Sequence, residues 1–115
     1  MARYDFVRFD ELEGVVKKVR QALNVTAFGV NYFELPPGAE GLEHNETSTN
    51  QEEVYVYVRG SGVLRIDGQV IDVGEGMAVR VDPEVTRQPV AGEDGLQWVA
   101  IGAPREGAYE PPSWG

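Results

Sequence analysis

Residues 38–62 read GAEGLEHNETSTNQEEVYVYVRGSG. The stretch opens as a polar loop that carries His44, the single histidine of the chain. Two carboxylates follow, Glu52 and Glu53, and then the alternating run Val54-Tyr55-Val56-Tyr57-Val58. Arg59-Gly60-Ser61-Gly62 is built of turn residues and is expected to break the strand. Side chains on one face of a strand recur every two residues. If Glu53 points inward, Tyr55 and Tyr57 do so too, and Val54, Val56 and Val58 point outward. A strand that starts in acid and histidine and runs into inward tyrosines suits a barrel with a polar mouth.

The flanking sequence supports an all-β chain. Val63-Leu64-Arg65-Ile66 alternates, Asp67-Gly68 matches a two-residue type I′ hairpin, and Val70 to Val73 returns. Gly74-Glu75-Gly76 is a turn before a strand over 77–81, and Asp82-Pro83-Glu84 is another. Residues 85–91 form a strand placed near an edge or bulge, because Pro89 cannot donate to a ladder. Gly92 to Gly95 is read as a turn, and residues 96–101 as the last strand. Upstream, residues 3–9 are expected to form a short strand, and Asp10 to Glu13 has helix-cap spacing. Leu12, Val16, Val19 and Leu23 permit a helical stripe. The valines favour a strand instead, which is expected over 16–22. Residues 25–35 are apolar on both faces, as in a strand covered on both sides, and Pro36-Pro37-Gly38 ends it. Short, evenly spaced strands with glycine turns indicate a sandwich or barrel.

The 115 residues make one domain, 1–115. A chain this long buries about 65% of its unfolded surface, enough for one core without staples. It has no cysteine, hence no disulfide and no thiolate ligand or nucleophile. The first residues are charged and lack the apolar core of a signal peptide. The longest apolar stretch falls far short of the ~20 residues that span a bilayer. A cytoplasmic protein is expected. The net charge of −9 repels phosphate backbones and anionic lipid, so no nucleic-acid partner and no membrane partner is expected.

These residues resemble the cupin superfamily. Its first motif is a glycine, five residues, His-x-His, three or four residues, a glutamate, six residues and a glycine. Here Gly38 precedes His44 by that spacing, and Glu53 precedes Gly60 by it. The second motif passes from a glycine through a strand and a proline-glycine turn to a histidine, and it resembles Gly76, the 77–81 strand, Asp82-Pro83-Glu84 and Val85-Thr86-Arg87. The two motifs cover about residues 36–90. The resemblance implies a double-stranded β-helix, or jelly-roll, barrel with a short N-terminal extension. It also implies a small single-domain protein that forms a homodimer, in keeping with the outward apolar set Val54, Val56 and Val58, which something must cover.

The metal site of such proteins resembles three histidines and a glutamate. Here Glu46 stands at the second histidine, and Arg87 at the motif-two histidine. His44, Glu46 and Glu53 could hold a divalent ion through one imidazole and two carboxylates. Against this, a guanidinium offers no lone pair to a metal and pairs with carboxylates. The favoured expectation is no cofactor, with Arg87 neutralising Glu53 or Glu46. His44, Glu46, Glu53, Tyr55, Tyr57 and Arg87 then line a small-molecule pocket. A free Arg87 would favour an anionic ligand. The first alternative is a metal-dependent enzyme of dioxygenase or isomerase type. The second is a structural dimerising domain whose tyrosines are core filler. The tail from Gly102 onward, rich in proline and glycine, is expected to dock through Tyr109 and Trp114.

Overall fold

A computed structural model of the protein describes residues 3–115. Its elements are a 3-10 turn (Phe9–Glu11), β1 (Val16–Lys17), α1 (Val19–Leu23), β2 (Gly29–Leu35), β3 (Gln51–Ile66), β4 (Gln69–Gly74), β5 (Ala78–Val81) and β6 (Arg87–Pro104). All pairings are antiparallel, in the order β1-β2-β6-β3-β4, with β5 on the first half of β3. The architecture is an all-β jelly-roll barrel.

Two long bent strands make the barrel. Residues 51–60 of β3 pair with residues 96–104 of β6, and residues 62–66 pair with residues 87–91. Register shifts fall between Tyr57 and Arg59 and between Gly60 and Gly62. The expected breaks at 59–62 and 92–95 are therefore corners within continuous strands. The reason is close approach. A Cβ at Gly60 would stand 2.1 Å from the Gly95 carbonyl oxygen, and one at Gly62 would stand 2.2 Å from that of Val90. Glycine lets the ladder bend where another residue would force it apart. At Asp67-Gly68 both φ angles are positive, 46° and 77°, as a type I′ hairpin requires.

The N-terminal expectations need correction. Residues 3–8 form no strand. Phe9 instead stacks on Tyr32 at 4.3 Å and covers the outer face of β2. The strand expected over 16–22 is only Val16–Lys17, paired with Phe33 and Tyr32. The chain then turns into α1, which buries Val19 and ends at Asn24 in the left-handed region. Val25 belongs to that helix end, because its N–H donates to the Arg20 carbonyl at 3.1 Å. Strand β2 therefore starts at Gly29, four residues later than its apolar pattern suggests.

The inner face is layered by register. Leu35, Leu96 and Gly60 form the bottom row. Above it Phe33, Trp98 and Tyr57 form an aromatic row, with Phe33 stacked on Trp98 at 4.9 Å. Asn31, Ala100 and Tyr55 come next, and Gly29, Gly102 and Glu53 form the rim. Large side chains fill the lower rows, and small ones leave room above.

Candidate functional site

The room above the aromatic row is a cavity of about 520 Å³. Its walls are largely apolar, and His44, Glu46, Glu53, Tyr55 and Tyr57 all line it. The alternation of β3 delivers the last three, with Tyr55 and Tyr57 buried. His44 arrives on a loop that runs beside β6. Its N–H donates to the Arg87 carbonyl and the Arg87 N–H donates back, each at 2.9 Å. Gly41 and Glu46 tie the same loop to the carbonyls of Pro89 and Pro83, both at 2.8 Å.

Arg87 sits behind this set and does not line the cavity, which corrects its expected place. It is 1% exposed. Its Nη2 donates to Glu53 Oε1 at 2.5 Å, its Nε to the Tyr55 hydroxyl at 3.0 Å, and its Nη1 to the Val85 carbonyl at 2.8 Å. The Tyr55 hydroxyl donates in turn to Glu53 Oε1 at 2.7 Å. Arg87 is thus engaged by Glu53, Tyr55 and Val85.

The electrostatics follow from these contacts. Burial pushes the Glu53 carboxyl up, but its bonds with His44, Tyr55 and Arg87 outweigh burial and hold it below the usual carboxylate range. Burial and then the Glu53 charge push the Tyr55 hydroxyl up, so it stays protonated and donates. Burial alone does the same to Tyr57. His44 Nε2 lies 3.4 Å from Glu46 Oε2 and 3.7 Å from Glu53 Oε1. The facing Glu53 carboxylate holds the imidazole above its usual range. Burial and then the Glu53 charge push the Glu46 carboxyl up, and the charges of His44 and Arg87 and the Thr49 hydroxyl, at 3.2 Å, offset this only in part.

His44, Glu46 and Glu53 can each bring a ligand atom within 4.8 Å of the others, so the group could hold a metal ion. The donor set does not match three histidines and a glutamate. Glu53 Oε1 already accepts two bonds, one from a fixed cation. A guanidinium there supplies the positive charge that a metal would otherwise bring.

Sequence reading missed Asn31, Phe33 and Trp98, and it expected the tail to dock without placing it at the cavity. Asn31 lines the cavity, and its Oδ1 is buried with no hydrogen-bond partner. Phe33 and Trp98 form the floor; apolar strand residues of this kind carry no signal beyond core. The tail closes one side. Tyr109 packs over Gly29, and the Gly115 carbonyl accepts from Arg20 Nε at 2.5 Å. Trp114 lines the cavity while remaining 56% exposed.

Comparison with known proteins agrees with this architecture. The model of the cupin domain family matches residues 31–102. A cupin protein from Bacteroides fragilis is similar at 25% identity and a TM-score of 0.80, over 99% of this chain and 94% of that one. A predicted oxalate decarboxylase from Thermotoga maritima is similar in fold at 20% identity, with a TM-score of 0.68 over 84% of this chain and 96% of that one. A sugar phosphate isomerase of the cupin superfamily from Silicibacter pomeroyi is similar in fold at 23% identity, with a TM-score of 0.67 over 76% and 57%. No curated protein matches. Among the described residues, no helix is long and apolar enough to cross a membrane. The family match extends over well more than half of the sequence and coincides with the barrel strands, and the chain belongs to the cupin domain family.

Proposed function

We propose that this protein is a small-molecule-binding barrel that works without a metal. The observation that carries the reading is the Arg87–Glu53 pair beneath a cavity of about 520 Å³. That volume lies within the range of ligand pockets, which combine apolar walls with a few polar groups. Tyr55, Glu53 and Arg87 form a closed network, so the polar end keeps a fixed shape without a bound ion. The net charge of −9 argues against nucleic acid and anionic membranes as partners, in keeping with a small molecule as the occupant.

A second reading is a metal-dependent enzyme, favoured by the clustering of His44, Glu46 and Glu53. Those three would hold a hard divalent ion, and the ion would supply Lewis acidity toward a substrate oxygen. Two measurements separate the readings. Elemental analysis of untagged protein should find no stoichiometric transition metal. Titration with phenethyl alcohol, a neutral aromatic probe, should saturably shift the Trp98 indole resonance. One equivalent of metal, lost in His44→Ala, would replace the first reading by the second.

A further inference from the structure

We infer that the cavity takes a small primary amine with an aromatic or alkyl body, its ammonium seated at Glu46 and its body on the Phe33–Trp98–Tyr57 row. This rests on the small-molecule reading above and narrows it to a chemical class.

Charge comes first. The acids lining the cavity are Glu46, Glu53 and, from the tail, Glu110. Among the described residues no lysine or arginine lines it. The two arginines nearby are engaged. Arg87 is committed to Glu53, Tyr55 and Val85, and Arg20 bonds the carbonyls of Gly115 and Val25. His44 is the one group on the wall that can be positive, and it faces two carboxylates. An anion entering here meets excess negative charge between low-dielectric walls, where repulsion is strong.

Glu46 and Glu53 are not equivalent. Glu53 is neutralised by a cation at 2.5 Å and bonded by Tyr55. Glu46 has no such partner: its neighbours are an imidazole at 3.4 Å and the Thr49 hydroxyl at 3.2 Å. It is also half-buried, so water only partly solvates it. A ligand ammonium beside Glu46 would give this carboxylate a permanent cation, where the protein supplies at contact distance only the titratable imidazole of His44.

The walls select the body. Phe33 and Trp98 stack nearly parallel, 2° apart, and Tyr57 tilts against Trp98 at 6.1 Å. Rings or alkyl chains gain burial on such a floor. Beside it, Asn31 carries a buried Oδ1 without a donor. Rotation of that amide would offer this oxygen to a ligand N–H or O–H.

The test uses three probes of one shape: phenethylamine, phenethyl alcohol and phenylacetate. Each is titrated into the full chain at neutral pH by calorimetry, with the Trp98 resonance reporting position. Phenethylamine should bind about tenfold or more tighter than phenylacetate. Glu46→Gln should remove that advantage and leave phenethyl alcohol unchanged. Glu46 is only half-buried, so the variant should fold, which its melting curve checks. Glu110→Gln, on the tail, should weaken phenethylamine to a smaller degree. Phenylacetate binding as tightly as phenethylamine would overturn the inference and leave the small-molecule reading standing. Equal loss of all three probes in Glu46→Gln would also overturn it, since Glu46 would then act through shape. Failure of every probe to bind the wild type would overturn both.

Discussion

Arg87 and Glu53 meet at 2.5 Å in the barrel, on strands β6 and β3, with the Arg87 side chain fully out of solvent. The resemblance aligns a histidine with position 87, and this chain has a permanent cation there instead. The Tyr55 hydroxyl bridges the two, accepting from Arg87 and donating to Glu53. The three groups form a closed hydrogen-bonded unit inside the β3–β6 pairing.

Removing Arg87 alone leaves a buried carboxylate without its cation. Such breaks cost about 3–5 kcal/mol. Arg87→Met should therefore lower Tm by more than about 10 °C, and Arg87→Met with Glu53→Gln should recover much of that loss. Thermal melts of the two variants check this. A single variant as stable as the wild type would show that the pair is not a structural unit.

The site also dictates a pH profile. His44 has its folded pKa raised above 6.5, so its contribution is fully present below 6.5 and is lost as pH rises through the folded value. Glu53 has its folded pKa lowered, so its contribution is present above the ordinary carboxylate value of 4.5 and is lost as pH falls through the folded value. Glu46 has a raised folded pKa and works the other way, giving up stability as pH rises from 4.5. Tm should fall between pH 6 and pH 9 by a few degrees. His44→Gln should flatten that limb and also make the acid limb shallower, because the imidazole is one of the groups that hold the Glu53 carboxyl down, with Tyr55 and Arg87 keeping the rest of that limb. A wild-type Tm that is constant over that window would contradict the raised imidazole.

The tail is held by Tyr109 and Gly115 more than by Trp114. Tyr109 lies against Gly29, where a Cβ would stand 3.0 Å from its hydroxyl, and Gly115 is buried against Lys18 and bonded by Arg20. Trp114 remains 56% exposed. Tyr109→Ala should cost about 1 kcal/mol, and Trp114→Ala about half of that or less. Urea melts followed by circular dichroism measure both. The reverse order would mean that the tryptophan is the anchor.

The outer face of the barrel is apolar where Val54 and Ile101 pair and where Val56 adjoins them. Val56, Val58 and Ile101 are 36%, 41% and 38% exposed. We propose that these exposed apolar side chains form a self-interface. Light scattering at micromolar concentration should give a dimer mass, and Val56→Glu should shift it toward monomer without changing the far-ultraviolet spectrum. A monomer mass for the wild type would count against this face as a self-interface.

Alternation and turn chemistry in the sequence determined the barrel class, the Asp67-Gly68 hairpin and the inward set Glu53, Tyr55 and Tyr57, because a period of two fixes faces wherever the strand runs. The same local rules misread Gly60, Gly62 and Gly92 to Gly95 as breaks. A glycine that permits a turn also permits a bulge, and only the partner strand chooses between them. They misread residues 3–9 and 16–22 as well, because Phe9 and Val19 serve contacts with distant elements, not a local ladder. Motif spacing put His44, Glu46 and Glu53 at one mouth. It could not show that Arg87 lies behind the wall, that Asn31 reaches the cavity from β2, or that Tyr109 closes it from the tail. Those placements depend on the register between strands far apart in the chain and on which charge finds a partner first, and both are properties of the folded arrangement alone.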